Sequence, residues 1–157
     1  MDQLLNVKKS ISELPFSLKI YEFEEGTTKT SEMAAKQLGV EAAQIAKTML
    51  FICGEKPILV VTCGDMKVKQ GQLKRAAGAK PRFASSDECK ELTGYEPGGV
   101  CPFALKTEID IFLDKSIERF SQVYAAAGTA NTAVPLNMEQ LLYITNGKIV
   151  DICDSKK

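Results

Sequence analysis

Apolar residues at Leu4, Leu5, Ile11 and Leu14 recur at helical spacing and stop at Pro15, which predicts an amphipathic opening helix. Leu18, Ile20 and Phe23 then alternate with polar residues, predicting a strand over 17–23, followed by the polar loop EEGTTKT. Met33, Ala34, Ala35 and Leu38 mark a helix over 31–38 that ends at Gly39. The runs at 45–53 and 57–63 are long, apolar and rich in β-branched residues. The turn GEKP between them predicts a β-hairpin. Helices follow at 69–77, stopped by Gly78, and at 86–93, where Ser85 and Glu88 form a capping box. Strands are predicted near 109–113 and 121–126, a helix from Asn137 to about Gly147, and a last strand over 148–153. Strands outnumber long helices, so the pattern predicts an α/β fold with a mixed, largely antiparallel sheet.

The 157 residues match one domain with one core, and no linker or repeat divides residues 1–157. Twenty basic residues balance twenty acidic ones. That excludes a general DNA-coating protein but leaves room for a nucleic acid touched over a small patch. The five cysteines form no C-x-x-C pair, which fits reduced, buried thiols. With no signal-like start and no apolar run of membrane length, a soluble cytoplasmic protein without membrane contact is expected. The sequence has no histidine. A Ser-His-Asp or Cys-His site is therefore excluded within this chain, and a usual zinc site with it. No metal or cofactor is expected. Hydrolysis would rest on lysine, carboxylates, hydroxyls, backbone N–H groups or atoms of the substrate.

Four places could carry chemistry. In the first hairpin strand, Lys47 shares a face with Ile45, Met49 and Phe51. Its stem could lie along the sheet while the ammonium reaches water, or the cation could be held in an apolar pocket to act on a ligand. Gly98 and Gly99, in YEPGGVCP, form either a plain turn or a concavity of N–H groups able to stabilise an oxyanion. The stretch 67–82 holds Lys67, Lys69, Lys74, Arg75, Lys80 and Arg82 without an acid, as a solvated face or a patch for nucleic-acid phosphates. Gly128 and Asn131 mark either a close backbone approach or a strand-end turn. Cys101 lies in the glycine loop with nothing to activate it, so packing is its expected role.

The segments AKTMLF, PILVVTCGDMKV, LTGYEPGGVCPF and VYAAAGTAN, in this order and spacing, resemble the YbaK/ProX family. That family comprises free-standing aminoacyl-tRNA deacylases and the editing insertion of bacterial prolyl-tRNA synthetases. The resemblance runs from about Phe16 to about Ile144. It implies a barrel-like mixed sheet with surrounding helices, and trans-editing hydrolysis of a mischarged tRNA, with cysteine or alanine the expected acyl group and serine a further one. The alternative is a non-catalytic module of the same fold that binds tRNA or a synthetase. Carried over by residue, the essential lysine falls on Lys47 and its neighbour on Thr48. The glycine loop falls on Gly98, Gly99 and Val100, a pocket tyrosine on Tyr21, and a strand-end glycine on Gly128. Lys69, Lys74 and Arg75 are the expected tRNA contacts. The implied partners are the acceptor end of a mischarged tRNA and prolyl-tRNA synthetase. Where many relatives have glycine this chain has Ala104, and where several have serine it has Ala126.

Overall fold

A computed structural model describes residues 3–155. Helix α1 (Gln3–Ser12) ends before Pro15 and leads to a two-residue strand β1 (Tyr21–Glu22). Helix α2 (Ser31–Leu38) starts at Thr30, whose hydroxyl accepts the Met33 N–H at 3.1 Å, and stops at left-handed Gly39. Strands β2 (Ala46–Cys53) and β3 (Lys56–Cys63) form the expected hairpin across Gly54-Glu55. Then come β4 (Met66–Val68), α3 (Gln70–Ala77), β5 (Pro81–Phe83) and α4 (Ser86–Thr93), which carries the expected Ser85–Glu88 box. Strands β6 (Asp110–Asp114), β7 (Val123–Ala125) and β8 (Thr132–Leu136) precede α5 (Met138–Thr145), whose capping box pairs Asn137 with Gln140. The chain closes with β9 (Lys148–Val150) and β10 (Cys153–Ser155).

The strands form three sheets: β5-β2-β3-β6-β9, β1-β8-β7, and β10-β4. Only β3–β6 and β6–β9 pair in parallel, so the arrangement is mixed and largely antiparallel. The five-stranded sheet is not closed and keeps edges at β5 and β9, so a barrel is not established. Its faces are covered differently, because side chains alternate along each strand. Leu50, Leu59, Val61 and Leu113 join Phe103, Leu136 and Leu141 on one side. Phe51, Ile58, Val60 and Phe112 pack with Leu73 of α3 on the other.

Three expected strands are shorter or divided. Of residues 17–23, only Tyr21 and Glu22 find ladder partners, on Ala133 and Thr132. Leu18 and Ile20 pack against the core outside any strand; alternation signals a buried face, whereas a strand also needs a neighbour. The expected strand at 121–126 shrinks to Val123–Ala125. The expected strand 148–153 breaks at Asp151-Ile152 because the chain changes sheets there. The buried Asp114 carboxylate accepts the Ile152 N–H at 3.1 Å, and the Ile152 carbonyl accepts the Lys69 N–H at 2.8 Å. Strands β4, β5 and β8 were not anticipated. Among the described residues no helix is long and apolar enough to cross a membrane.

Candidate active site

The site originates in unequal pairing of β2. All eight of its residues pair with β3, but only Phe51, Ile52 and Cys53 pair with β5. Beyond them, that edge is met by Ala84 at Leu50 and by a parallel bridge from Tyr124 to Ile45, and no strand pairs with it at Lys47–Met49 among the described residues. The Ala84 N–H reaches the Leu50 carbonyl at 3.0 Å, so even-numbered residues of β2 turn their backbone groups toward this edge. The main-chain N–H and C=O of Thr48 therefore face outward from an unpaired edge. A cleft of about 490 Å³ lies there, walled on the far side by the end of β7, by β8, and by the loop leading into α2.

Lys47, Thr48, Gly98 and Val100 all line this cleft, although fifty residues separate the first pair from the second. Small side chains dominate the opposite wall, with Ala125, Ala126, Ala130 and Ala133 beside Thr132. Ala126, the position where the family resemblance leads one to expect serine, is thus a lining residue. The Thr48 hydroxyl has no hydrogen-bond partner among the described residues, while Thr132 and Thr28 are tied to backbone groups of the 127–132 segment.

Lys47 is half-buried, and its ammonium donates to the Met66 carbonyl at 2.8 Å. The turn just before that carbonyl, Gly64-Asp65, is clamped. Asp65 accepts two hydrogen bonds from the Arg119 guanidinium, at 3.0 and 2.7 Å, and Arg119 also donates to the Ser116 carbonyl at 2.9 Å. The Arg119 hydrogen bonds hold the Asp65 carboxyl below its ordinary range, and the Lys47 charge adds a smaller pull in the same direction. A side chain on buried Gly64 would meet the Ala42 carbonyl oxygen at 2.4 Å, so the turn is also wedged against neighbouring backbone.

In the glycine loop the two glycines differ. Gly98, at φ +92°, is exposed and lines the cleft. Gly99 is buried, its N–H donates to the Glu96 carbonyl at 3.0 Å, and it does not line the cleft. The expected pair of oxyanion donors is corrected accordingly: the Gly99 N–H is committed to the turn. A Cβ on Gly99 would stand 2.8 Å from the Gly128 carbonyl oxygen, and one on Gly128 would stand 2.9 Å from the Tyr95 ring. These two glycines let two backbones touch behind the cleft; Gly128 is not a lining residue. The Tyr95 hydroxyl donates to the Phe103 carbonyl and, at 3.3 Å, to the Ala104 carbonyl. Ala104 sits at φ +48°, the left-handed region that glycine adopts most readily.

Tyr21 stands outside the cleft, half-buried, with the Lys19 ammonium 4.9 Å from its ring centre. The lining aromatic of that segment is Phe23, two residues on. It is fixed by reciprocal bonds with Asn131: the Phe23 N–H donates to the Asn131 carbonyl at 2.9 Å, and the Asn131 amide donates to the Phe23 carbonyl at 2.8 Å. Sequence reading also missed Thr28, Lys29, Thr30 and Ser31, which line the cleft from the loop before α2. The available signal was a dense run of hydroxyls ending in a helix cap.

No cysteine lines the cleft. All five are free and buried, and burial raises every thiol above its ordinary value, Cys101 and Cys153 to about 12. The basic stretch is partly neutralised: Lys69 meets Asp154 at 3.4 Å, and Arg82 forms a two-point pair with Glu88 at 2.8 Å. Lys67, Lys74, Arg75 and Lys80 are exposed. Lys67, Lys69 and Arg75 border a shallow groove of about 470 Å³.

A family model for the aminoacyl-tRNA editing domain matches residues 25–144, which contain every cleft residue named above except Phe23. The chain belongs to the aminoacyl-tRNA editing domain family. Its activity class is aminoacyl-tRNA deacylation. "Uncharacterized protein YwhH" of Bacillus subtilis (strain 168) is 38% identical over 131 residues, covering 82% of this chain and 83% of that one. "Putative Cys-tRNA(Pro)/Cys-tRNA(Cys) deacylase EbsC" of Enterococcus faecalis is 27% identical over 96% of this chain and 93% of its own. A crystal structure described as "a putative trans-editing enzyme for prolyl tRNA synthetase" superposes with a TM-score of 0.92 at 28% identity, covering 99% of both chains.

Proposed function

We propose that this editing domain acts in trans on a mischarged prolyl tRNA, with the aminoacyl end of the acceptor strand in the cleft and cysteine or alanine as the acyl group removed. The observation that carries the reading is the convergence of Lys47-Thr48 and Gly98–Val100 on one cleft. The alanine-lined wall supports a small acyl group. A synthetase pocket for proline rejects smaller side chains weakly, since a missing methylene is worth only about 1–3 kcal/mol, and a second site that admits only those restores accuracy.

In this proposal Lys47 is the electrostatic anchor for the terminal phosphate or the acyl group. The exposed Gly98 N–H, together with the outward-facing main chain of Thr48, lies against the ester carbonyl. An activated ester needs little beyond positioning and stabilisation of developing negative charge. The attacking group is water or a nucleophile of the substrate, consistent with the exclusion of every cysteine from the cleft. The whole-chain coverage of the deacylase and trans-editing relatives supports action in trans and an association with prolyl-tRNA synthetase.

The test is single-turnover deacylation of tRNAs charged with cysteine, alanine, serine and proline. Fast release of one small acyl group, with Pro-tRNA spared, is expected. Binding without release of any acyl group would support the non-catalytic module instead.

A further inference from the structure

Phe83 is 61% exposed, an unusual position for a phenylalanine on a sheet edge. It is not loose. In the β5–β2 register Phe83 lies opposite Phe51, and the two rings pack with centroids 4.6 Å apart and planes tilted by 30°. Phe51 beneath is fully buried. The next residue back, Arg82, is fixed by its two-point pair with Glu88. Phe83 thus presents an aromatic ring to solvent from a braced base.

Its surroundings give that ring a direction. Lys47, Met49 and Phe51 alternate onto one face of β2, and Phe83 joins them as the partner of Phe51. Lys47 and Met49 line the cleft. Phe51 lies two positions along β2 from Met49, so the exposed ring begins about 7 Å along the strand from the cleft wall. On the same face, Leu73 and Ala76 of α3 pack against Phe51's cluster, which puts exposed Lys74 and Arg75 on the helix beside this row. Cleft, aromatic ring and free cations therefore succeed one another on one side of the sheet.

We propose that Phe83 is a stacking platform for an unpaired base of the RNA acceptor end, one step outside the cleft. It rests on the reading that the cleft takes the aminoacylated terminus. Single-stranded RNA is gripped by aromatic faces for its bases and cations for its phosphates, and this surface supplies both. Charge complementarity favours RNA over a protein partner here, because exposed Lys74, Arg75 and Lys80 outnumber the acids at the start of α4, where Glu88 is neutralised by Arg82 and Asp87 remains. The ring does no chemistry; it fixes where the strand enters.

The experiment uses uncharged tRNA carrying 2-aminopurine at its penultimate nucleotide, whose fluorescence is quenched on stacking. Quenching is expected with the wild-type protein and with Phe83→Tyr, and its loss with Phe83→Leu. Because this tRNA carries no amino acid, the result stands apart from whether the protein hydrolyses anything. In steady-state deacylation, Phe83→Leu is expected to raise KM about tenfold, with kcat nearly unchanged. Quenching by Phe83→Leu equal to wild type would overturn the proposal. So would a drop in kcat with KM unchanged, or weakened binding of prolyl-tRNA synthetase with RNA binding intact. Thermal melts matching wild type within a few degrees are expected for both variants, since the ring is mostly exposed.

Discussion

The Lys47 ammonium and the Met66 carbonyl lie 2.8 Å apart, joining β2 at the cleft to the start of β4. This contact explains how a lysine resides among Ile45, Met49 and Phe51. An ammonium leaving water needs an acceptor, and a backbone oxygen held in place by the Asp65–Arg119 clamp supplies one. The charge is thereby held at the cleft.

Lys47→Ala should slow single-turnover deacylation by about 100-fold, the loss typical of one preorganised electrostatic partner. Stability should change little, because the half-buried hydrogen bond to Met66 is worth about 1 kcal/mol. Lys47→Arg should also fail, since a planar guanidinium cannot keep the Met66 contact and the same charge position. Rates are to be read beside thermal melts. Near-normal turnover in Lys47→Ala would remove Lys47 from the centre of the reaction.

The ion pair of Lys69 with Asp154 changes the expectation for the basic stretch. Neutralising Lys74 and Arg75 should weaken tRNA binding and flatten its salt dependence, by about one unit of slope per lost phosphate contact. Neutralising Lys69 should do less, because its charge is already partly answered. Binding isotherms at several salt concentrations decide this, and an unchanged slope for Lys74→Gln with Arg75→Gln would mark the helix face as merely solvated.

Gly99→Ala and Ala104→Gly should act in opposite directions. A methyl on Gly99 would press the Gly128 carbonyl from 2.8 Å, so a loss of about 1–3 kcal/mol is expected. Ala104, at φ +48°, carries left-handed strain that glycine would relieve, for a net gain of up to about 1 kcal/mol. Urea denaturation midpoints measure both. A destabilised Ala104→Gly would show that the alanine is held by contacts stronger than its backbone strain.

Alkaline pH should unfold this protein progressively. Burial raises all five thiols, Cys101 and Cys153 to about 12, and raises Tyr95 as well. A folded-state pKa above the unfolded one means stability that is complete below the unfolded value and lost as pH rises through the folded value. Stability should therefore begin to fall above about pH 8.5, where unfolded thiols ionise, and keep falling toward pH 12. Denaturation midpoints from pH 7 to 11 test this. At pH 8, iodoacetamide should neither label the native protein nor inhibit it; rapid inactivation would point to a reachable thiol.

Much of the local structure was legible in the sequence because its causes are local. The boundaries of the helices at 31–38 and 86–93 follow from a cap at one end and a glycine at the other. The hairpin of β2 and β3 follows from two apolar runs and a short glycine-bearing turn. The candidate lysine was legible too, as a charge on an apolar strand face.

Tertiary structure alone decided what depends on partners far along the chain. Strand β1 is short because only Ala133 and Thr132 meet it, and the last predicted strand divides because Asp114 captures the Ile152 N–H. The cleft exists because β5 covers one end of the β2 edge and Tyr124 of β7 bridges Ile45 at the other, leaving the edge around Thr48 without a strand partner, an opening no local pattern encodes. The same holds for the two glycines. Composition made them equivalent, but contact with Gly128 makes Gly99 a packing residue, while Gly98, one position earlier, faces the cleft. Periodicity records which side of an element is buried; which element buries it, and which backbone edge stays open, is settled only when distant segments meet.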